Sequence, residues 1–221
     1  MTVIFVITTI LIFLGIDWTI QRWRAAHKVH AVQADVRHAF AARVPKGIFF
    51  TPWHTWLHLF PSGKVQVGVD DFIAQLLTHP EVIMLKDPEQ HVERGEPMML
   101  LKNGDHLLTV RSPITGNIIA ANQELPKDPT LLKEKLFSEG WGYFIEPSSQ
   151  AEIKNMLIGL ETRAWIRKEY KHLRDVLAGV RDENHLQPAV LQDGGLPIEG
   201  TLDRMSDDIW KHIDQEFLQA K

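Results

Sequence analysis

Cysteine is absent from all 221 residues. That excludes a disulfide framework, a thiolate metal site and a cysteine nucleophile together. It leaves the compartment open, because a chain without thiols tolerates either redox environment. An excess of positive charge is also missing. Lysine and arginine number 24 against 28 acids, for a formal net charge of −4, so the chain has no electrostatic footprint for nucleic acid. No internal repeat or low-complexity tract is evident. The length allows one medium domain with additions, or two small ones. A composition of 44% hydrophobic and 24% charged residues is ordinary for a folded protein.

Charge is missing locally as well. VIFVITTILIFLGI (3–16) carries none, and the apolar character continues through Trp18 and Ile20 with only Asp17 interrupting. Met1 to Ile20 is just long enough to span a bilayer as a helix. The stretch lacks the basic n-region and small-residue cleavage site of a secretory signal, so residues 1–22 read as a retained transmembrane anchor. Trp18 and Trp23 fall where interfacial aromatics belong. Arg22, Arg24, Lys28, Arg37, Arg43 and Lys46 follow, against the single acid Asp35. The positive-inside rule then predicts a single-pass protein of the inner (cytoplasmic) membrane, with the C-terminal domain in the cytoplasm.

Residues 23–46 have no glycine or proline before Pro45 and read as a helical stalk. The texture then changes to short apolar runs between turn signals: IFF, TWLHLF, VQVGV, EVIML, PMMLL, LLTV, GNIIAA and WGYFIEP. DDFIAQLLTH (70–79) reads as a short amphipathic helix capped by Asp70 or Asp71. Residues 148–180 read as one helix, capped by Ser148 or Ser149 with support from Glu152. A Pro/Gly-rich linker covers 181–200. Residues 201–221 form an amphipathic C-terminal helix whose Leu202, Met205, Ile209, Ile213 and Phe217 recur at intervals of three and four. The expected fold class is mainly β with flanking helices. Asn103-Gly104, between PMMLL (97–101) and LLTV (107–110), predicts a tight type I′ hairpin.

The order of motifs across 45–175 resembles the H protein of the glycine cleavage system. The residues that carry it are HTWLHLFPSGKVQVGVDDFIAQLL (54–77), VERGEPMMLL (92–101), SPITGNIIAANQEL (112–125) and FSEGWGYFIEPS (137–148). The resemblance implies a barrel-sandwich hybrid over 47–180, made of two small sheets with a hairpin exposed at one end. In that family the hairpin tip carries a lysine modified with lipoate. Counted without a gap from Gly95 to Pro113, that lysine's place falls on Asp105, which has no amine. The nearest amine is Lys102, three positions early on the rising arm.

His54 and His58 have a spacing that a metal pair could use, but no cysteine or clustered carboxylate completes a site, and no metal is expected. His27 and His30 read as solvated helix histidines. His106 beside Asp105 invites an acid–base reading, yet adjacent turn residues without a pocket are ordinarily solvated. Lys127, Asp128, Lys133 and Glu134 read as mixed charged surface. Trp18, Trp23, Trp210, Ile213 and Phe217 are the candidates for docking a partner or the bilayer. For Trp210, Ile213 and Phe217 the alternative is packing on the chain's own β body. The expectation is a non-catalytic structural or docking subunit of a larger membrane complex, of the electron-transfer kind, with no cofactor. The alternative is a membrane-tethered lipoyl carrier loaded on Lys102. A third reading, a periplasmic adaptor, would need a helical hairpin where this chain has a tight turn.

Overall fold

The computed structural model describes residues 42–179 and 199–220. The stretch read as anchor and the stalk as far as residue 41, with Trp18, Trp23, His27 and His30, lie outside the described residues. So does 180–198. Residues 42–46, expected as the end of the helical stalk, are not helical: Pro45 disfavours helix in the residue before it, and the chain turns at 46–47. Among the described residues no helix is long and apolar enough to cross a membrane. All the described residues belong to one compact unit. The C-terminal helix therefore belongs to the same unit as the β body.

Each apolar run between turn signals becomes a strand. β1 (Ile48–Phe50), β2 (Thr55–Leu59) and β3 (Val65–Val69) form an antiparallel meander. α1 (Asp71–Leu76) follows at once, because the Asp70 carboxylate accepts from the Ile73 N–H at 3.1 Å and satisfies one orphan donor of the first turn. Then come β4 (Glu81–Met84), β5 (His91–Val92), β6 (Pro97–Asn103), β7 (His106–Arg111), β8 (Gly116–Ala121), the one-turn α2 (Leu131–Glu134) and β9 (Tyr143–Pro147). The described strands make two sheets. One has seven strands in the order β10-β1-β2-β3-β9-β8-β5, where β10 is Leu157–Ile158. The other has three, in the order β4-β6-β7. Val67, Val69, Leu101, Leu108, Ile118 and Ile145 fill the core between them.

Tyr143 joins the sheets chemically. It is fully buried on β9, its hydroxyl donates to Met98 O at 2.7 Å, and it accepts from the Leu85 and Lys86 N–H groups at 3.1 Å each. A buried phenol needs such partners, and three backbone groups supply them, one from β6 and two from the residues just after β4.

Two expectations change at the helices. The predicted helix over 148–180 is broken into a 3₁₀ turn (Gln150–Asn155), the strand β10 and α3 (Leu160–Gly179). Phe49 and Phe50 pair with Ile158 and Leu157, and Gly159 turns the chain at φ 63°. Ser149 does cap, accepting from the Ala151 N–H at 3.2 Å. Glu152 does not assist it: its carboxylate takes the Thr115 N–H at 2.8 Å and the Thr115 hydroxyl at 3.0 Å. The buried face of α3 is Thr162, Ile166, Tyr170, Leu173 and Leu177, whereas Leu160 stands in solvent. The C-terminal segment is likewise two pieces, a 3₁₀ turn (Thr201–Arg204) and α4 (Asp207–Phe217).

Trp210, Ile213 and Phe217 are buried to within 2% of full burial, among the core residues of the β body. As docking candidates they are corrected, because their surface is spent inside the chain. An intramolecular face has no association entropy to offset, so a linked amphipathic helix occupies it first.

Candidate functional site

The smaller sheet is built on the β6–β7 hairpin. Asn103 pairs with His106, which leaves Gly104 and Asp105 as the two turn residues. Only Gly104 has positive φ, at 60°; neither Asn103 nor Asp105 does. That is the pattern of a type II′ turn with glycine first, not the expected type I′ turn on Asn103-Gly104. The hairpin is as the sequence predicts, but its register lies one residue further on. Asn103 thereby stays in β6, where its amide has other work.

Asp105 is exposed at the tip with Gly104. Lys102 lies inside β6, opposite Leu107 on one side and Glu81 on the other. Its ammonium is 3.2 Å from the Glu81 carboxylate. Both groups are partly exposed, so this pair orients the lysine along the sheet more than it stabilises the fold. His106 is not solvated as expected. Its ring stacks on Trp210 at 5.0 Å and 15°, and Nδ1 is 3.2 Å from an Asp207 oxygen.

A second constellation lies in the core. His54 adopts φ 61° in the turn before β2, and its Nδ1 is 2.7 Å from the Asp70 carboxylate that caps α1. The ring stacks on Phe72 at 4.2 Å and 12° and lies 4.9 Å from Trp165 of α3. Nε2 has no hydrogen-bond partner and is 3.9 Å from Glu169. His54 and Asp70 are both fully buried, so this dyad has no access to a substrate and acts as a strut between β2, α1 and α3. His58, by contrast, is on β2 against Phe60 at 4.6 Å, so the two histidines do not form a pair. Among the described residues, no group of three or more His, Asp or Glu is placed to hold a metal ion. The His–Asp strut was legible only as two separate motif residues, because nothing in their spacing of sixteen signals contact.

Lys133, read as general surface, is ion-paired with Glu199. Glu96 has a carboxyl held below the usual range, first by the Lys86 ammonium and then by the Glu93 backbone.

A two-sheet β body with one tight exposed hairpin turn is an architecture of the lipoyl-domain type. The comparisons make this specific. A model of the glycine cleavage H-protein family matches residues 48–170, and the chain belongs to that family. The glycine cleavage system H protein of Vibrio parahaemolyticus is 27% identical over 124 residues, covering 56% of this chain and 98% of that one. The Aliivibrio fischeri protein of the same name is 30% identical over 112 residues, covering 51% and 89%. Among solved structures, a glycine cleavage system H protein from Mycobacterium marinum has a TM-score of 0.46 and 20% identity, over 57% of this chain and 98% of that one.

Proposed function

We propose that this chain is a non-catalytic member of the H-protein family that carries no lipoate and serves as a structural or docking subunit of a membrane complex. The observation that supports this most is the chemistry of the hairpin turn. Lipoate requires a primary amine projecting from the tip, and residues 103–106 are Asn, Gly, Asp and His. The ungapped frame from Gly95 to Pro113 sets Asp105 at the family's lysine position. A carboxylate cannot form the amide with lipoate, so the residues at the turn do not fit the group.

Lys102 is a poor substitute. It is three residues from Asp105, in the strand between β4 and β7, and turned toward Glu81. A strand side chain, even in the last residues before the turn, projects from a sheet face rather than from the end of the hairpin. The uncharged stretch 3–16 and the basic residues after it support a tether to the cytoplasmic membrane, where neighbouring subunits are the partners.

The test is the intact mass of the full chain, purified in mild detergent after co-expression with a lipoate ligase and added lipoate. The expected spectrum is the unmodified mass. A gain of one lipoyl amide that disappears in Lys102→Ala would overturn the proposal in favour of a tethered lipoyl carrier.

A further inference from the structure

α3 turns a cationic face to solvent. Its 20 residues carry five arginines and lysines against three acids, in a chain whose formal net charge is −4. Leu160, Ala164, Arg167, Lys171 and Arg174 follow one another at intervals of four and three. They therefore share one stripe of the helix, turned away from the buried Ile166, Tyr170, Leu173 and Leu177. Arg163 and Lys168 flank the stripe. Two of the three acids are engaged elsewhere: Glu169 lies toward His54, and Asp175 pairs with Arg174. Glu161 is the exposed acid at one side. Arg163, Arg167, Lys168 and Lys171 are all exposed, and among the described residues none of them is in an ion pair.

The stripe begins at an apolar tip. Leu160 is 81% exposed and Ile158 42%, on either side of Gly159, which turns the chain at φ 63°. Among the described residues, no other large apolar side chain is more than half exposed. Phe49, partly buried, stands beside Ile158 in the β1–β10 ladder and widens the patch. The positive end of the α3 dipole lies at the same place. An exposed apolar tip at the head of unpaired cations matches a bilayer with anionic headgroups: the tip enters the acyl boundary while arginine and lysine meet phosphate. From Leu160 to Arg174 the stripe is about 21 Å long, which lets several cations reach one surface together.

We propose that the outer face of α3 rests on an anionic phospholipid surface, with Ile158 and Leu160 entering the boundary between headgroups and acyl chains and Arg163, Arg167, Lys168 and Lys171 meeting lipid phosphates. The inference rests on the membrane tether proposed above for proximity alone. The tether brings a bilayer within reach, and the cytoplasmic leaflet, on the side that the basic residues after 3–16 assign to this domain, is the anionic one. The contact is a surface one, released by high salt or alkaline wash, and it gives the β body a second attachment beside the tether. It is independent of whether the hairpin carries lipoate.

The chain has no cysteine, so Leu160→Cys supplies a single labelling site at an exposed position. The full chain, labelled there with an environment-sensitive fluorophore, is reconstituted in phosphatidylcholine vesicles with or without phosphatidylglycerol, with a quencher carried on the acyl chains. Ser62→Cys, in an exposed turn, is the control. The label at 160 is expected to shift to the blue and be quenched when phosphatidylglycerol is present, and the label at 62 to stay in water. Arg167→Gln/Lys171→Gln is expected to lower the docked-to-undocked ratio about 30-fold, from about a fivefold contribution per cation. Salt at about 1 M, where the Debye length is about 3 Å, should abolish the shift. A label at 160 that stays in water on the anionic vesicles overturns the proposal, and equal quenching on the neutral ones overturns the assignment to anionic lipid. A blue-shifted label that the lipid quencher does not reach means that protein covers Leu160, which also overturns it. Loss of the full chain to a carbonate wash refutes the tether instead, so the two failures are distinguishable.

Discussion

At the scale of single residues, the two tyrosines carry the clearest prediction, because the chain has only two. Burial pushes the Tyr143 phenol up, with the Lys86 and Leu85 N–H groups partly opposing it. Burial also pushes Tyr170 up, and the neighbouring charges of Asp70 and Asp71 add to it. A phenol that keeps its proton in the folded state contributes stability that is whole below the unfolded value of about 10 and is lost as pH rises past it. Phenolate absorbance is therefore expected to stay flat through pH about 10 and to appear only with unfolding. Phenolate appearing there while the near-ultraviolet circular dichroism stays native would contradict the burial of both rings. Tyr143→Phe removes one donor and two acceptor contacts at once, and a loss of about 1–3 kcal/mol is expected from denaturant unfolding.

At the scale of elements, two glycines in neighbouring strands and turns separate packing from conformation. A Cβ on Gly116, in β8 between β5 and β9, would lie 2.3 Å from the Glu146 carbonyl oxygen. Backbone cannot yield as a side-chain tip does, so Gly116→Ala is expected to cost about 3 kcal/mol, the upper part of the overpacking range. A Cβ on Gly104 meets nothing within 4 Å, and only its φ of 60° resists. Gly104→Ala is expected to cost about 1 kcal/mol. Equal costs in urea melts would mean that the β8–β9 contact is looser than the ladder implies. The hairpin also shows how an element can be legible while its register is not. Asn-Gly and Gly-Asp are both acceptable turn pairs. What selects the second is Asn103, whose amide is drawn to Asp203, a residue one hundred positions away.

At the scale of the whole molecule, the β body receives its two flanks differently. The C-terminal flank is folded onto it through α4. The N-terminal flank enters through Arg43, whose backbone N–H and guanidinium both bond the buried Asp71 at the start of α1. Arg43, one of the basic residues that follow the expected anchor, serves the fold through this contact. If residues 1–22 span the bilayer, the full chain is expected in the membrane fraction and resistant to alkaline carbonate wash. A chain lacking 1–22 should move to the supernatant with its circular dichroism otherwise unchanged. Release of the full chain by carbonate would refute the tether. It would leave the family membership untouched, since that rests on 48–170.

Local chemistry and periodicity were enough to mark the β runs, a cap at Asp70 or Asp71, and the hairpin, and the ordered motifs carried the family resemblance. Each depends on residues a few positions apart, or on an ordered string of motifs. Tertiary structure alone decided where the last helix lies, which side of the hairpin is covered, and how the predicted 148–180 helix divides. In each case two faces of similar apolar character competed. Three-dimensional proximity chose between them: β1 reached Leu157 and Ile158 before a helix could take them, and the β7 edge and core took Trp210, Ile213 and Phe217 before any partner could.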